Sequence, residues 1–200
     1  MSVKEMILWM LAIPDRLYNR LMLSYRSVRY EKDLRIKGRI RIYGRGTIEI
    51  GKGVRINSCR SANPIGGDAA VVLSTDVGGH IVIGDGSAMS NCAIVSKKEV
   101  RIGRDVRIGG SCKIYDTDFH SLSLEKRISS HDDDIVTNPV EICDGAFIGA
   151  SSIILKGVRI GKKSIVGAGS VVTRDIPDGE IWAGNPAKFI RKLEVTDSGR

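Results

Sequence analysis

Large rings are scarce in this chain: Phe, Trp and Tyr make up 5% of its 200 residues. A core organised around big aromatic side chains is therefore excluded, and thin repeated layers of aliphatic ones fit better. Long apolar runs are missing too. The stretch "MILWMLAI" at 6–13 has eight residues, too few to span a bilayer, and no small-residue cleavage site follows it. The four cysteines, Cys59, Cys92, Cys112 and Cys143, form no C-x-x-C pair, which argues against a zinc knuckle or a thioredoxin-type site. Buried thiols in a reducing compartment fit instead, so the chain reads as cytoplasmic.

What is present is a hydrophobic share of 42%, a charged share of 27% and 23 glycines, the profile of one folded domain rather than a disordered chain. Charge is uneven. Residues 1–55 carry 13 Lys/Arg against 5 Asp/Glu, residues 56–138 carry 9 against 11, and residues 139–200 carry 9 against 7. The surplus at the N-terminus suits an acidic membrane surface, nucleic acid or plain solvent.

One phrase recurs: "IEIG" at 48, "IVIG" at 81, "VRIG" at 100, "VEIC" at 140 and "VRIG" at 158. Between these runs a six-residue beat, unbroken from Ile142 through Ile148, Ile154, Ile160 and Val166 to Val172. Ile83, Met89 and Val95, then Ile102, Ile108 and Ile114, keep it with one extra residue between the sets. Six is neither a helical nor a simple strand period, so short strands must be separated by corners, and three faces close a triangular coil. Coil starts at 50, 83, 102 and 142 lie 33, 19 and 40 apart, leaving two large excursions once a coil of eighteen is subtracted. Loops are thus expected at 58–77 and 115–138. The domain plan is an N-terminal helical segment at 1–30, a coil stack at 31–177, and a C-terminal loop with a short helix at 178–200. Asn185 would cap that helix and Pro186 would occupy its first position.

Residues 3–28 look helical, with Pro14 opening a second helix. Leu17, Leu21 and Val28 line one side, with Arg16 and Arg20 beyond. Such a helix either caps the open end of the stack or lies as a basic amphipathic segment on the inner membrane surface.

The hexads of 142–177 and the ending "VGAGSVVTRDIPDGEIWAGNPAKFIRKL" resemble the hexapeptide-repeat acyltransferases, in particular the sugar and polysaccharide O-acetyltransferases. The resemblance covers residues 36–193. It implies an all-β, left-handed parallel β-helix, acetyl-CoA as cosubstrate without a metal, and a homotrimer with active sites between subunits. It implies a small-molecule or glycan acceptor and no nucleic-acid partner.

Acetyl transfer from a thioester to a hydroxyl needs a base, because a neutral hydroxyl is a poor nucleophile. His120 in "YDTDFH", where the larger excursion leaves the coil, matches the family's catalytic histidine. Asp118, two residues earlier, is a candidate to orient its imidazole, with Asp116 one strand step further. Asn91 in "AMSNCAIV" resembles an acceptor-contacting asparagine, displaced by two residues from the phase that "VRIG" sets, and Arg127 in "LEKRISS" is a second acceptor candidate.

For the coenzyme, the motif match points to Ala150 in "IGAS" and Ala168 in "VGAGS" along the pantetheine arm, with Thr173 and Arg174 further on. Lys188 and Arg191, three apart on a helix and hence on one face, would meet the phosphates. Backbone N–H groups near Gly149 and Ala150 would hold the oxyanion.

Other readings stay open. The acceptor could be a nucleotide-sugar amine, serine or an antibiotic. The stack could also be a non-catalytic binding module. A three-histidine zinc site resembling γ-class carbonic anhydrases would need His80, His120 and His131, whose spacing does not match that pattern.

Overall fold

The computed structural model describes residues 13–67, 69–128 and 134–194. Its strands fall into three sheets that form the faces of a triangular prism, here A, B and C. The chain visits them in turn through six coils. Strand Arg29–Tyr30 starts face A, Arg35–Gly38 face B and Arg41–Gly44 face C, and the cycle repeats until Val171–Val172 completes face C.

The in-register parallel pairing is what the repeated phrases anticipate. Ile50, Ile83, Ile102, Ile142 and Ile160 stack in face A, and Met89, Ile108, Ile148 and Val166 stack in face B. In face C the column runs Leu73, Ile94, Ile114, Ile154, Val172. Ile94 rather than Val95 points inward, because the corner between Met89 and Ile94 is one residue shorter than the equivalent corner between Ile108 and Ile114. These ladders are almost wholly buried, and truncating one such isoleucine to alanine costs about 2–5 kcal/mol. At two corners glycine is obligatory by contact. A Cβ on Gly149 would lie 2.5 Å from the Ala168 nitrogen, and one on Gly109 2.6 Å from that of Ala150.

Two excursions leave the stack at different edges. The first occupies 59–71, between Arg55–Ser58 of face B and Val72–Thr75 of face C, and is shorter than the expected 58–77 because the last part of that stretch is strand and turn. The second, 116–139, lies between Lys113–Tyr115 of face C and Val140–Ile142 of face A, one residue along from the expected 115–138.

Helix α1, Ile13–Tyr25, sits against the first coil. The side that packs is the reverse of the expected one. Asn19 and Leu23 are buried while Leu17 and Leu21 are exposed. Asn19 fixes the contact, donating from Nδ2 to the Gly38 carbonyl (2.8 Å) and accepting from the Ile40 N–H (3.0 Å). These bonds satisfy backbone groups that a first coil leaves without a neighbour. Among the described residues no helix is long and apolar enough to cross a membrane.

The C-terminal helix is not formed. Ala187–Lys192 is a strand, antiparallel to Glu180–Gly184, which itself extends face B. The physical reason is the open sheet edge beyond Glu180–Gly184, whose free N–H and C=O groups a returning strand satisfies. Asn185 and Pro186 form the turn instead of a helix cap.

Candidate active site

The larger loop has a built neck. Thr117 and Thr137 form an antiparallel bridge, flanked by the Asp118 N–H on the Val136 carbonyl (3.1 Å) and the Asn138 N–H on the Asp116 carbonyl (2.9 Å). The chain therefore leaves and re-enters the coil at one point, which is why the hexads resume in phase. Phe119 stands just beyond the neck at φ 68°, a left-handed conformation that costs a bulky residue of order 1–3 kcal/mol and concentrates at functional sites. Its ring packs edge-on against Tyr115 at 5.0 Å. Burial pushes the Tyr115 phenol up from its ordinary value. The next residue is His120, exposed at the edge between faces C and A.

The aspartates behave differently from one another. Asp116 is fully buried, accepting from Ser96 Oγ (2.9 Å) and from the Lys97 and Lys98 N–H groups (both 2.8 Å). It secures the corner of the preceding coil, and that engagement removes it as an orienter of His120. Asp118 is half-buried and ion-paired through Oδ1 to Lys156 Nζ at 2.7 Å. Lys156 was not foreseen. Phase brings it to the loop's root, since Ile154 stacks on Ile114, but it sets Lys156 beside Asp116 and does not indicate the bond to Asp118.

Arg127 turns inward on its own loop. From α2, Leu124–Ile128, its Nη1 donates to the Ser121 carbonyl at 3.0 Å, one residue from His120. It is placed to hold the loop's shape. Asn91 is 2% exposed, and its Nδ2 donates to the Ala69 carbonyl at 2.6 Å. It lies at the edge between faces B and C, where its bond to Ala69 ties down the 59–71 loop. That loop also rests on Gly110, where a Cβ would lie 2.5 Å from Gly66 Cα, and Ser111 Oγ donates to the Gly66 carbonyl (2.9 Å).

Ala150 and Ala168 occupy equivalent corners of successive coils, at that same B/C edge just below the 59–71 loop. The Gly169 N–H donates to the Ala150 carbonyl (2.8 Å), and neither the Ala150 nor the Ala168 N–H donates to another backbone group among the described residues. Gly149 differs: its N–H is bound to the Val166 carbonyl at 2.8 Å, so of the pair expected at an oxyanion only Ala150 retains a donor. Thr173 and Arg174 are exposed at the C/A edge of the last coil. Lys188 and Arg191 are exposed on the C-terminal strand, and a bulge between them, which pairs Lys188 with Ala183 and Arg191 with Ile181, keeps them on one face although no helix forms.

His80 lies in face A between Glu49 (3.7 Å) and Glu99 (3.9 Å). His131 lies outside the described residues.

Residues 139–174 match the family described as hexapeptide repeat of succinyl-transferase. The chain is 38% identical over 109 residues to galactoside O-acetyltransferase of Lactococcus lactis, covering 54% of this chain and 50% of that one. It spans between 48% and 61% of the length of three such curated relatives. Among solved structures it is similar to a hexapeptide-repeat-containing acetyltransferase of Vibrio cholerae complexed with acetyl-coenzyme A, at 29% identity and a TM-score of 0.56, covering 72% of each chain. In fold it is also similar to AntD, an N-acyltransferase of Bacillus cereus, at 23% identity and a TM-score of 0.68, covering 88% of this chain and 90% of that one. The coil is thus a left-handed parallel β-helix.

Proposed function

We propose that this chain, a hexapeptide-repeat acyltransferase by its coil and repeat, moves an acetyl group from acetyl-CoA to a hydroxyl of a sugar or polysaccharide precursor. The observation that carries the reading is the His120 loop: a stapled neck, a strained Phe119 and the Asp118–Lys156 pair hold one exposed imidazole at the edge of an otherwise regular coil. Histidine's ordinary pKa of about 6.5 suits a base working near neutrality.

In this reading the acceptor oxygen attacks the thioester carbonyl carbon while His120 takes its proton. The tetrahedral intermediate's oxyanion is met by the Ala150 N–H. The C–S bond then breaks, and the imidazolium returns the proton to the departing thiolate. No acyl-enzyme is needed, because both substrates are held together. Asp118 and Arg127 act as positioning residues for the loop.

His120 stands at the C/A edge and the Ala150–Ala168 corners at the B/C edge of the same prism. One chain does not bring them together, which supports a homotrimer in which the His120 edge of one subunit meets the Ala150 edge of the next. In that groove Ala150 and Ala168 line the pantetheine arm, Thr173 and Arg174 lie further along, and Lys188 and Arg191 serve the phosphates. The 59–71 loop closes the groove's upper end and is placed to select the acceptor.

The same geometry serves an amine, so a nucleotide-sugar amine is the second acceptor class. The test is an acceptor screen with acetyl-CoA that follows thiol release. Release with sugar hydroxyl acceptors supports O-transfer, release only with amino sugars moves the assignment to N-transfer, and failure to bind acetyl-CoA in calorimetry leaves a non-catalytic module.

A further inference from the structure

Helix α1 has two faces, and only one is used. Asn19 and Leu23 face the first coil, while Ile13, Leu17, Leu21 and Tyr25, spaced four apart on the opposite side, are 43%, 58%, 63% and 78% exposed. Four large apolar side chains in one stripe on a folded surface are unusual unless something covers them. Arg16 and Arg20 border the stripe and are exposed. In sequence, "MILWMLAI" runs directly into it.

A second observation lies beside the first. Tyr18, on the flank of α1, lines a cavity of 390 Å³ together with Arg39, Arg41, Arg60, Ser58 and Cys59. No aspartate or glutamate lines it among the described residues. Arg39 is held in place by Asp15 of α1 at 2.7 Å and by the Tyr18 ring, 5.3 Å from its guanidinium carbon. An apolar stripe and a cationic cavity thus share one helix at one end of the prism, the combination an interfacial helix presents to anionic lipid.

We infer that this end of the protein docks on an anionic phospholipid bilayer, with Ile13, Leu17, Leu21 and Tyr25 entering the acyl boundary and the Arg39–Arg41–Arg60 cavity taking a headgroup phosphate. A second copy of the chain is the poorer occupant, because stripe-to-stripe packing would bring the Arg16 and Arg20 of both copies together. The inference rests on the proposed function only for its purpose, delivery to a lipid-linked acceptor. The surface itself is independent of it.

The test is co-sedimentation of the full chain, without acetyl-CoA, with vesicles of phosphatidylcholine alone and of phosphatidylcholine with phosphatidylglycerol. Binding is expected only to the anionic vesicles and is expected to weaken with salt. The double variant Leu17→Ser/Leu21→Ser should lower partitioning about tenfold or more, and Arg41→Gln by about fivefold, each with an unchanged melting temperature because these side chains face away from the core. Equal pelleting with neutral vesicles, or anionic binding that survives Leu17→Ser/Leu21→Ser, overturns the inference. So does absence of lipid binding with a changed oligomeric mass in that double variant, which would give the stripe to a second copy. Acetyl transfer to a soluble acceptor is measured separately, so lipid binding can fail while the transferase reading stands, and the reverse.

Discussion

Lys156 Nζ meets Asp118 Oδ1 at 2.7 Å, across the corner where the chain leaves the coil for the loop that carries His120. The pair spans two coils, so the loop's root is tied to the body of the prism and not only to its own neck.

Replacing Lys156 by methionine should therefore loosen the loop more than the fold. The expected result is a fall in kcat of about 10- to 100-fold, since a misplacement of the order of an ångström is enough for that. The KM for acetyl-CoA should hold, and stability should drop by about 1 kcal/mol or less. Steady-state kinetics beside a denaturation curve checks it. A loss of stability alone would make the pair merely structural.

The coil was legible because an inward aliphatic must recur at each face, and a six-residue beat in Ile and Val has few other solutions. What escaped the sequence depended on partners distant along the chain. Asn185 and Pro186 read locally as a helix start, but the open edge of face B decided the outcome. Leu17 and Leu21 form the more apolar side of α1, yet Asn19 wins the contact because the first coil offers unsatisfied backbone groups at Gly38 and Ile40. Asn91 and His120 lie on neighbouring coils but at different edges, a distinction that needs each residue's position in the beat as well as the coil count.

Asn91 and Gly66 should act on one loop. Asn91→Ala removes the bond to the Ala69 carbonyl and is expected to cost about 1–3 kcal/mol. Gly66→Ala would place a Cβ 2.3 Å from Asn91 Oδ1 and should destabilise comparably. Limited proteolysis is expected to cut within 59–71 in both variants and not in the parent. Unchanged cleavage would mean the loop is held elsewhere.

Burial pushes the Cys92 and Cys112 thiols up, with Cys112 adding to the effect at Cys92. Above the ordinary thiol range of about 8.5 the unfolded chain loses protons that the folded one keeps, so stability should fall as pH rises through that range. Cys92→Ala should flatten this slope in melts taken from neutral to alkaline pH. Alkylation of the native protein should label Cys59 first and reach Cys92 only on unfolding. A pH-independent melting temperature in the parent would contradict the burial argument.

Ala168 is exposed at the B/C corner, so in the proposed groove Ala168→Phe should block the coenzyme without disturbing the core. The KM for acetyl-CoA is expected to rise about tenfold or more with the melting temperature unchanged. An unaltered KM would move the pantetheine path away from this edge.

The central claim is that the exposed imidazole at the loop's neck takes the acceptor's proton, and His120→Ala on the best acceptor of the screen tests it most directly. Thiol release from acetyl-CoA should fall by about 10²- to 10⁴-fold, while acetyl-CoA binding by calorimetry and the melting temperature stay at parent values. Turnover at the parent rate in His120→Ala would contradict the account.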